Sequence, residues 1–540
     1  MGLFNAIRRQ LLKVIKWDDP SESTIVYRYP MTDRDEIMNG CQLIVSESQV
    51  AMLVSGGTIA DVFGPGTHKL TTKNIPILTK LLSLPYDFDS PYKADVYYVN
   101  TKQFIDLYKE VGGQIAAKSA SVFNTKRDEA ARMLESAPFP TRKTEEYLYC
   151  PLFDALKTDW GVNINRLTFG LKAEDMFRCA VPGIKAVVAP IINDVWVGGE
   201  EIELGGGAFV CSMKHATEAH NDLITKYYNT ILNDKKDAFV MLNSMLVQDG
   251  LFVYIPQGVE CQMPLQIVNM MRAGQALMGV NRSLIILEAN ASLQVIDCDH
   301  AMDNSEYFAS RIAEIYVGEG ARLNYCSMES THEKMANLRR YAVAQEKDSV
   351  VKFSTFGLMN GATRNHIEID LNGEGAETWL GGMLLIDKQQ RCDNYTIIRH
   401  HKGSCRSEEL YKYILDDEAE GGFSGRIVVD PGAQKTVSHQ TNRNICLSEK
   451  ARALGRPQLE IYADDVKCGH GATTGMLDQN ALFYMQQRGI GLKEARLLLL
   501  QAFSAEVLEN IELPALSDRL HLLIEKRLHG EEMQCAGCRK

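Results

Sequence analysis

The 540-residue chain has no apolar run approaching ~18 residues, so nothing in it reads as a membrane-spanning helix. It has no surplus of positive charge. With 58 Lys and Arg against 69 Asp and Glu, the net charge is −11. That argues against nucleic acid as the main partner, because phosphate binding needs clustered cations. No Gly-x-x-x-x-Gly-Lys-Ser/Thr loop occurs, so any ATPase must be a partner. The start of the chain lacks an apolar stretch followed by a small-residue cleavage site, and export is not expected. The thirteen cysteines are odd in number and scattered, as reduced thiols in a cytoplasm would be. Cys535 and Cys538 form a pair that can bind metal or close a disulfide, but no second pair stands at zinc-ribbon spacing.

What the chain does have is one concentrated stretch of chemistry, from Asp464 to Gly475. Cys468 and His470 stand two residues apart among glycines, where a strand-rich region gives way to helices. Both are soft ligands that titrate or shift near neutral pH. The plain alternative is a tight turn whose thiol and imidazole are merely satisfied.

A composition of 45% hydrophobic and 24% charged residues is that of a globular protein, and the length predicts two to four domains. The first helix candidate, Gly2 to Trp17, carries Phe4, Ile7, Leu11, Val14 and Ile15 at helical spacing beside Arg8, Arg9, Lys13 and Lys16. Such a helix can lie in a membrane interface or pack on its own domain. Strand-like runs follow at Thr24–Tyr29, Gln42–Val45, Gln49–Val54 and Thr58–Phe63. Gly56-Gly57 and Gly64-Pro65-Gly66 read as hairpin turns between them. Phe104, Leu107, Tyr108 and Val111 predict a helix that Gly112-Gly113 ends.

Between Arg282 and Ala463 a repeat emerges. Small residues recur at Ala291, Ala321, Ser349, Ala376, Ser404 and Ala433, at intervals of 30, 28, 27, 28 and 29 by subtraction. Each follows a residue tolerant of positive φ: Asn290, Gly320, Asp348, Gly375, Gly403 and Gly432. A turn at fixed period with strands on both sides predicts a parallel β-helix. Extending the period reaches Asp465-Val466, which would put Cys468 and His470 at the corner of the last coil. Beyond it, Asn480–Gln487 and Leu492–Glu509 read as helices with Gly489 between them. Pro514 opens another helix, striped by Leu516, Leu520 and Leu523 and ended by Gly530. The stripes fit core packing or a partner-binding cap.

Two resemblances add to this reading. The run from Ile59 to Leu81 resembles the opening of an SPFH (band 7) domain, over about residues 1–104 and cut short. From about Ile105 onward the chain resembles the SufD branch of the SufB/SufD family of iron–sulfur cluster assembly proteins. The motifs are Pro138–Tyr149, Val253–Ile267 and above all Arg456–Ile490. A cysteine typical of the SufB branch is replaced by Asn442, with Cys446 nearby, and a glutamate after the histidine is replaced by Gly471.

The resemblance implies a mainly β fold, a right-handed parallel β-helix core (181–475) between helical regions at 105–180 and 476–540. A small α+β SPFH-like module, 1–104, would stand in front. It implies a cytoplasmic, non-catalytic scaffold subunit that pairs with SufB and docks the ATPase SufC. His470, with Cys468 beside it, would be a ligand or iron-entry residue for a transient iron–sulfur cluster or iron shared with SufB; a flavin in the complex stays open. Two other readings compete. One is a membrane-associated SPFH-type scaffold, touching lipid through residues 1–17. The other is a polysaccharide-active solenoid enzyme using Asp297 and Asp299.

Overall fold

The computed structural model describes residues 14–16, 26–28, 42–45, 49–55, 58–63, 66–69, 94–100, 103–136, 139–141, 143–168, 184–232 and 237–530. The chain divides into two compact units, Met1–Gly112 and Gly113–Lys540.

In the first unit, β1 (Val14–Lys16), β3 (Gln42–Val45) and β6 (Gly66–Lys69) form one sheet. A second, antiparallel sheet runs β2 (Val26–Arg28), β7 (Ala94–Asn100), β4 (Gln49–Ser55), β5 (Thr58–Phe63). Two expectations are corrected here. The helix expected over Gly2–Trp17 does not extend to its end, because Val14–Lys16 pair in parallel with Gln42–Ile44. Val14 and Ile15 are β-branched and suit a pleated surface; residues 1–13 and 17 lie outside those described. Nor does Gly64-Pro65-Gly66 close a hairpin, since β5 pairs with β4 and β6 with β3. Gly64 and Pro65 lie outside the described residues.

Helix α1 (Gln103–Ala117) runs through Gly112-Gly113 rather than ending there. A Cβ at Gly112 would lie 2.7 Å from the Tyr108 ring, so the glycine makes room for that ring. Its helix cost is only about 1 kcal/mol. Helix α2 (Ser121–Ser136) follows, then the short β8 (Gly161–Val162). After these come β9 (Val187–Ile192), β10 (Val195–Trp196), β11 (Glu201–Gly205) and β12 (Ala208–Ser212). Helices α3 (Met213–Ala219), α4 (Asn221–Tyr227) and α5 (Ala238–Leu246) lead into the solenoid.

Sixteen strands then alternate between two parallel sheets. One receives β14 (Leu265–Met271), β16 (Ser292–Ala301), β18 (Arg322–Ser330), β20 (Val350–Met359), β22 (Glu377–Ile386), β24 (Arg406–Leu415), β26 (Val437–Cys446) and β28 (Lys467–Gly475). The other receives β13 (Leu251–Ile255), β15 (Leu277–Leu287), β17 (Tyr307–Val317), β19 (Met335–Gln345), β21 (Ala362–Leu371), β23 (Arg391–His400), β25 (Glu420–Val429) and β27 (Arg452–Ile461). Two strands make one coil, giving eight coils of a parallel β-helix. Its inward rows (Leu293, Val295, Leu323, Tyr325, Val351, Phe353 and their like) form a continuous core between the sheets.

The corners explain the repeat and correct its last two steps. Positive φ occurs at Asn290, Gly320, Asp348 and Gly375 as expected, but then at Ser404 and Lys435 rather than Gly403 and Gly432. The constant is distance to the next strand: each of these residues stands two before it, and a buried Ala291, Ala321, Ser349, Ala376, Cys405 or Thr436 stands one before it. The corner is four residues long at 288–291, five at 372–376 and 401–405 and seven at 430–436, so its length varies while the spacing to the next strand does not. The backbone N–H of each left-handed residue donates to the next corner: Asn290 to Glu319 O at 2.7 Å, Gly320 to Lys347 O at 2.8 Å, Ser404 to Gln434 O at 2.8 Å. Gly320 and Gly375 lie over the Asn290 and Asp348 side chains, where a Cβ would come within 2.4 Å of Oδ1.

Helices α6 (Gln479–Gln487), α7 (Leu492–Leu508) and α8 (Pro514–Leu528) cover the outer face of the β14–β28 sheet. Ala495, Leu500, Val507, Leu516, Leu520 and Ile524 bury there against Phe356, Trp379, Met383 and Ile414. Arg527 Nη2 fixes α8 by donating to Asp387 Oδ1 at 2.6 Å.

The outer face of the other sheet is held by buried ion pairs. Arg364, 1% exposed in its side chain, pairs with Asp393, donates to Glu146 O at 2.7 Å and lies 4.4 Å from the centre of the Tyr147 ring. The Tyr147 hydroxyl donates to Asp237 Oδ2 at 2.5 Å, and Arg340 Nη1 reaches the same oxygen at 2.6 Å. The Glu145–Tyr147 turn, within the Pro138–Tyr149 motif, is therefore a strap tied to the solenoid by these groups. Removing one member of such a pair leaves a buried charge alone, at a cost of about 3–5 kcal/mol. Arg364→Met should lower stability of the Gly113–Lys540 unit by that much in urea unfolding. Hydrogen exchange at Glu145–Tyr147 should rise first.

Candidate functional site at the end of the solenoid

Cys468 and His470 lie within β28, not at a corner. The corner ends at Val466, and pairing with β26 begins at once with Val437↔Lys467. The sequence Lys-Cys-Gly-His-Gly-Ala-Thr-Thr-Gly has little strand propensity of its own; the ladder to β26 imposes the conformation. Residues two apart in a strand share a face, so thiol and imidazole project to the same side.

That side is the interior. In β26, Ser438, Gln440, Asn442 and Asn444 are buried while His439 and Arg443 are exposed. The register sets Ser438 against Cys468, Gln440 against His470, Asn442 against Ala472 and Asn444 against Thr474. The inward row of β26 is polar from Ser438 to Asn444, whereas that of β20 begins with Val351 and Phe353. Across the lumen the β27 register brings Gly455 opposite Phe423 and Pro457 opposite Gly425. Among the described residues no further strand follows, so this end is a mouth: Cys468 is half-buried against Leu459, Ile427 and Val429, and His470 is exposed.

Two polar ladders run inward from these residues. Behind Cys468, Ser438 Oγ and Ser407 Oγ share a hydrogen bond of 2.7 Å, and Ser407 meets His400 Nε2 at 2.9 Å. Behind His470, Gln440 Nε2 donates to Glu409 Oε2 at 2.6 Å, and the Thr396 hydroxyl donates to Oε1 at 2.6 Å. Among the described residues Gln440 Oε1 has no partner. Gly425 leaves space for this amide; a Cβ there would come within 2.2 Å of Gln440 Nε2. Burial raises the Glu409 carboxyl to about 7, partly opposed by its hydrogen bonds to Thr396 and Gln440. Burial also pushes the Cys468 thiol up, opposed by a backbone hydrogen bond from Ser438. Cys468 is thus a thiol that becomes thiolate when a metal takes the proton's place.

The other candidates separate. Cys446 ends β26 and lines a cavity of about 220 Å³ with Leu447, Met476, Leu482 and Leu492. It lies six register positions from His470, ~20 Å at the usual rise per residue. Asn442 is inward and fully buried, hydrogen-bonded to Asn444. Cys535 and Cys538 lie outside the described residues. The carboxylate pair expected of a glycan-cleaving enzyme is enclosed between the sheets. Asp297 accepts from Asn269, Tyr325 and Tyr341 beside a cavity of about 30 Å³, room for roughly one water and no sugar. Asp299 is paired with Arg311 and Arg339. Burial and Asp299 raise Asp297; Asp299 itself is held down by the two guanidiniums against its burial. The two ladders behind the mouth were missed by sequence reasoning, since Glu409, Gln440 and His470 meet only through a register of about thirty residues.

Comparison with known proteins gives the region a family. The model described as "SUF system FeS cluster assembly, SufBD core domain" matches residues 269–503, and "SufBD protein N-terminal region" matches 98–267. "SPFH domain-Band 7 family" matches 26–120, overlapping the second along α1. A SufBD family protein of Synechocystis is 27% identical over 439 residues, covering 79% of this chain and 93% of that protein. The SufD protein of Escherichia coli is 26% identical over 406 residues, 72% of this chain and 90% of that one. The SufD protein of Bacillus subtilis is 27% identical over 329 residues, covering 60% and 74%.

The raised Glu409 carboxyl predicts a pH dependence. Its folded pKa of about 7 lies above its ordinary 4.5, so the folded state holds a proton the unfolded state releases. The stability this contributes is full below ~4.5 and is lost as pH rises through ~7. Glu409→Gln should therefore gain stability relative to the parent between pH 5 and pH 8, by at most about 3 kcal/mol, in denaturant titrations at each pH. With a SufBD N-terminal region at 98–267 joined to a SufBD core at 269–503, the chain belongs to the SufBD family of iron–sulfur cluster assembly proteins, behind a Band 7-type segment.

Proposed function

We propose that this chain is the SufD-like half of a scaffold on which an iron–sulfur cluster is assembled, pairing with a SufB-type partner across its open end. The observation that carries the reading is a soft thiol–imidazole pair on the inward row of β28, in a chain of this family, with no further coil among the described residues to close over it. Iron and sulfide favour thiolate and accept imidazole, and a cluster that must leave suits an incomplete ligand set on each partner. His470, with Cys468 as neighbour, offers that half-set, while the cluster or iron is cargo. Scaffolding, not catalysis, is the role.

Two further observations support the partnership. β27 and β28 are the last strands of their sheets, and an unpaired edge is a template for strand addition. Lys467 N–H bonds Thr436 O, so by parallel alternation the N–H and C=O groups of Cys468, His470 and Ala472 point outward, away from β26. An exposed apolar group, Met476, Phe483, Tyr484, Leu492 and Leu498, adjoins this end on the helical cap. We assign the docking of a SufC-type ATPase to α6 and α7 on that basis. Cys150, Cys211, Cys261, Cys326, Cys392, Cys405, Cys446 and Cys468 are free thiols, which fits a reducing cytoplasm. No helix among the described residues is long and apolar enough to cross a membrane. Peripheral membrane contact, in this reading, belongs to the Band 7-type segment and residues 1–17.

Co-expression with SufB- and SufC-type partners, with iron, sulfide and flavin quantified on the purified complex, tests the reading. His470→Ala should leave the complex assembled and reduce cluster build-up to less than about a tenth; normal build-up would refute the ligand role. Ala472→Pro should abolish co-purification of the SufB-type partner. Its lost N–H points away from β26, so the fold should persist by circular dichroism.

A further inference from the structure

A second cluster of ligating side chains lies at the other end of the solenoid. Glu201 opens β11, opposite Cys211 of β12. Ser212 caps α3 by accepting from His215 N–H at 3.0 Å, which sets His215 in the first turn. His220 ends α3 and begins α4, with φ −131° and ψ 40°. Five residues along an unbroken helix would turn the two imidazoles some 140° apart; the break at His220 brings them together. The His220 ring stacks on Phe209, centroids 4.5 Å apart at 27°, and its Nε2 stands 3.3 Å from Glu201 Oε2. The His215 and His220 rings are 6.4 Å apart at 66°. One ligand atom from each of the three lies within 4.8 Å of the others.

Two imidazoles and a carboxylate are the donor set of a divalent first-row transition ion, not of Mg²⁺ or Ca²⁺, which take oxygen. Bonds of about 2.0–2.2 Å need the donors to close by roughly 1 Å. Glu201 and His220, with side chains 38% and 30% exposed, have the freedom to do so and leave a coordination position to solvent. Cys211, paired with Glu201 in register, is fully buried and burial pushes its thiol up to about 12. It does not join the set, so the site is one of nitrogen and oxygen donors and not of the sulfur type a cluster needs. Eight strands, and so nine strand spacings, separate β11 from β27 in the sheet order, ~45 Å at usual strand spacing. The site is therefore separate from the mouth that carries His470.

We propose that Glu201, His215 and His220 form a binding site for a single divalent transition ion with one exchangeable position. The test uses the full chain, freed of metal, carrying Cys468→Ser, His470→Ala, Cys535→Ser and Cys538→Ser to silence the other thiol and imidazole candidates. Titrated with Co²⁺ and followed by its d–d absorption, with Zn²⁺ measured in competition with a chromophoric chelator, it should bind one equivalent. His215→Ala and Glu201→Gln should each weaken that binding by more than about tenfold. His439→Ala, an exposed histidine on β26, should leave it unchanged. Thermal unfolding without metal reports whether the variants fold. Absence of a bound equivalent in the background chain would overturn the proposal, leaving Glu201–His220 as an ion pair bracing the hairpin against the helices. Undiminished affinity in folded His215→Ala and Glu201→Gln would overturn it equally.

Discussion

The backbone hydrogen bond from each left-handed corner residue to the corner above it governs this structure. It fixes the parallel register, because a corner that bonds its neighbour leaves the following strands no freedom to slip. Register in turn decides which side chains face inward, since a shift of one residue would exchange the two faces of every strand. The aliphatic core, the polar ladders near the end and the outer ion pairs all follow from it. Asn290, Gly320, Asp348 and Gly375 are tolerated or preferred there because positive φ costs them little. Ser404 and Lys435 adopt the same φ without that advantage, so the neighbouring coil must hold them.

The repeat was legible because its signal is local. A turn residue followed by a small buried one survives in any sequence that builds such a corner. It slipped at its last two steps, where Gly403 and Gly432 stand ahead of the residues that take the left-handed turn, Ser404 and Lys435. Helices α6 to α8 were legible almost to the residue, through Gly489, Pro514 and Gly530. Cys468 and His470 were recognisable as chemistry but were expected at a corner, because the period extended from Ala433 reaches Asp465-Val466. Glu409 and Gln440, and the approach of His215 to Glu201, arise from tertiary register or a helix break, for which no spacing in the chain provides a sign.

The two faces of the solenoid are held by different physics. The helical cap covers one with apolar contacts, which are non-directional and tolerate rearrangement. The strap and α5 hold the other through buried guanidinium–carboxylate pairs, which are directional and costly to break. The first arrangement suits a surface that must accommodate a moving partner, and the second suits one that must keep its shape.

A stack in which each coil touches only its neighbours has stability distributed along one dimension. The terminal coil, β27 and β28, has a neighbour on one side alone, and so forfeits half the contacts an interior coil enjoys. Such a unit opens at lower free energy than the rest. Any ligand or chain that settles on its free edge stabilises the bound, ordered form by mass action. Occupancy of the free edge and rigidity of the strands that line it are therefore coupled.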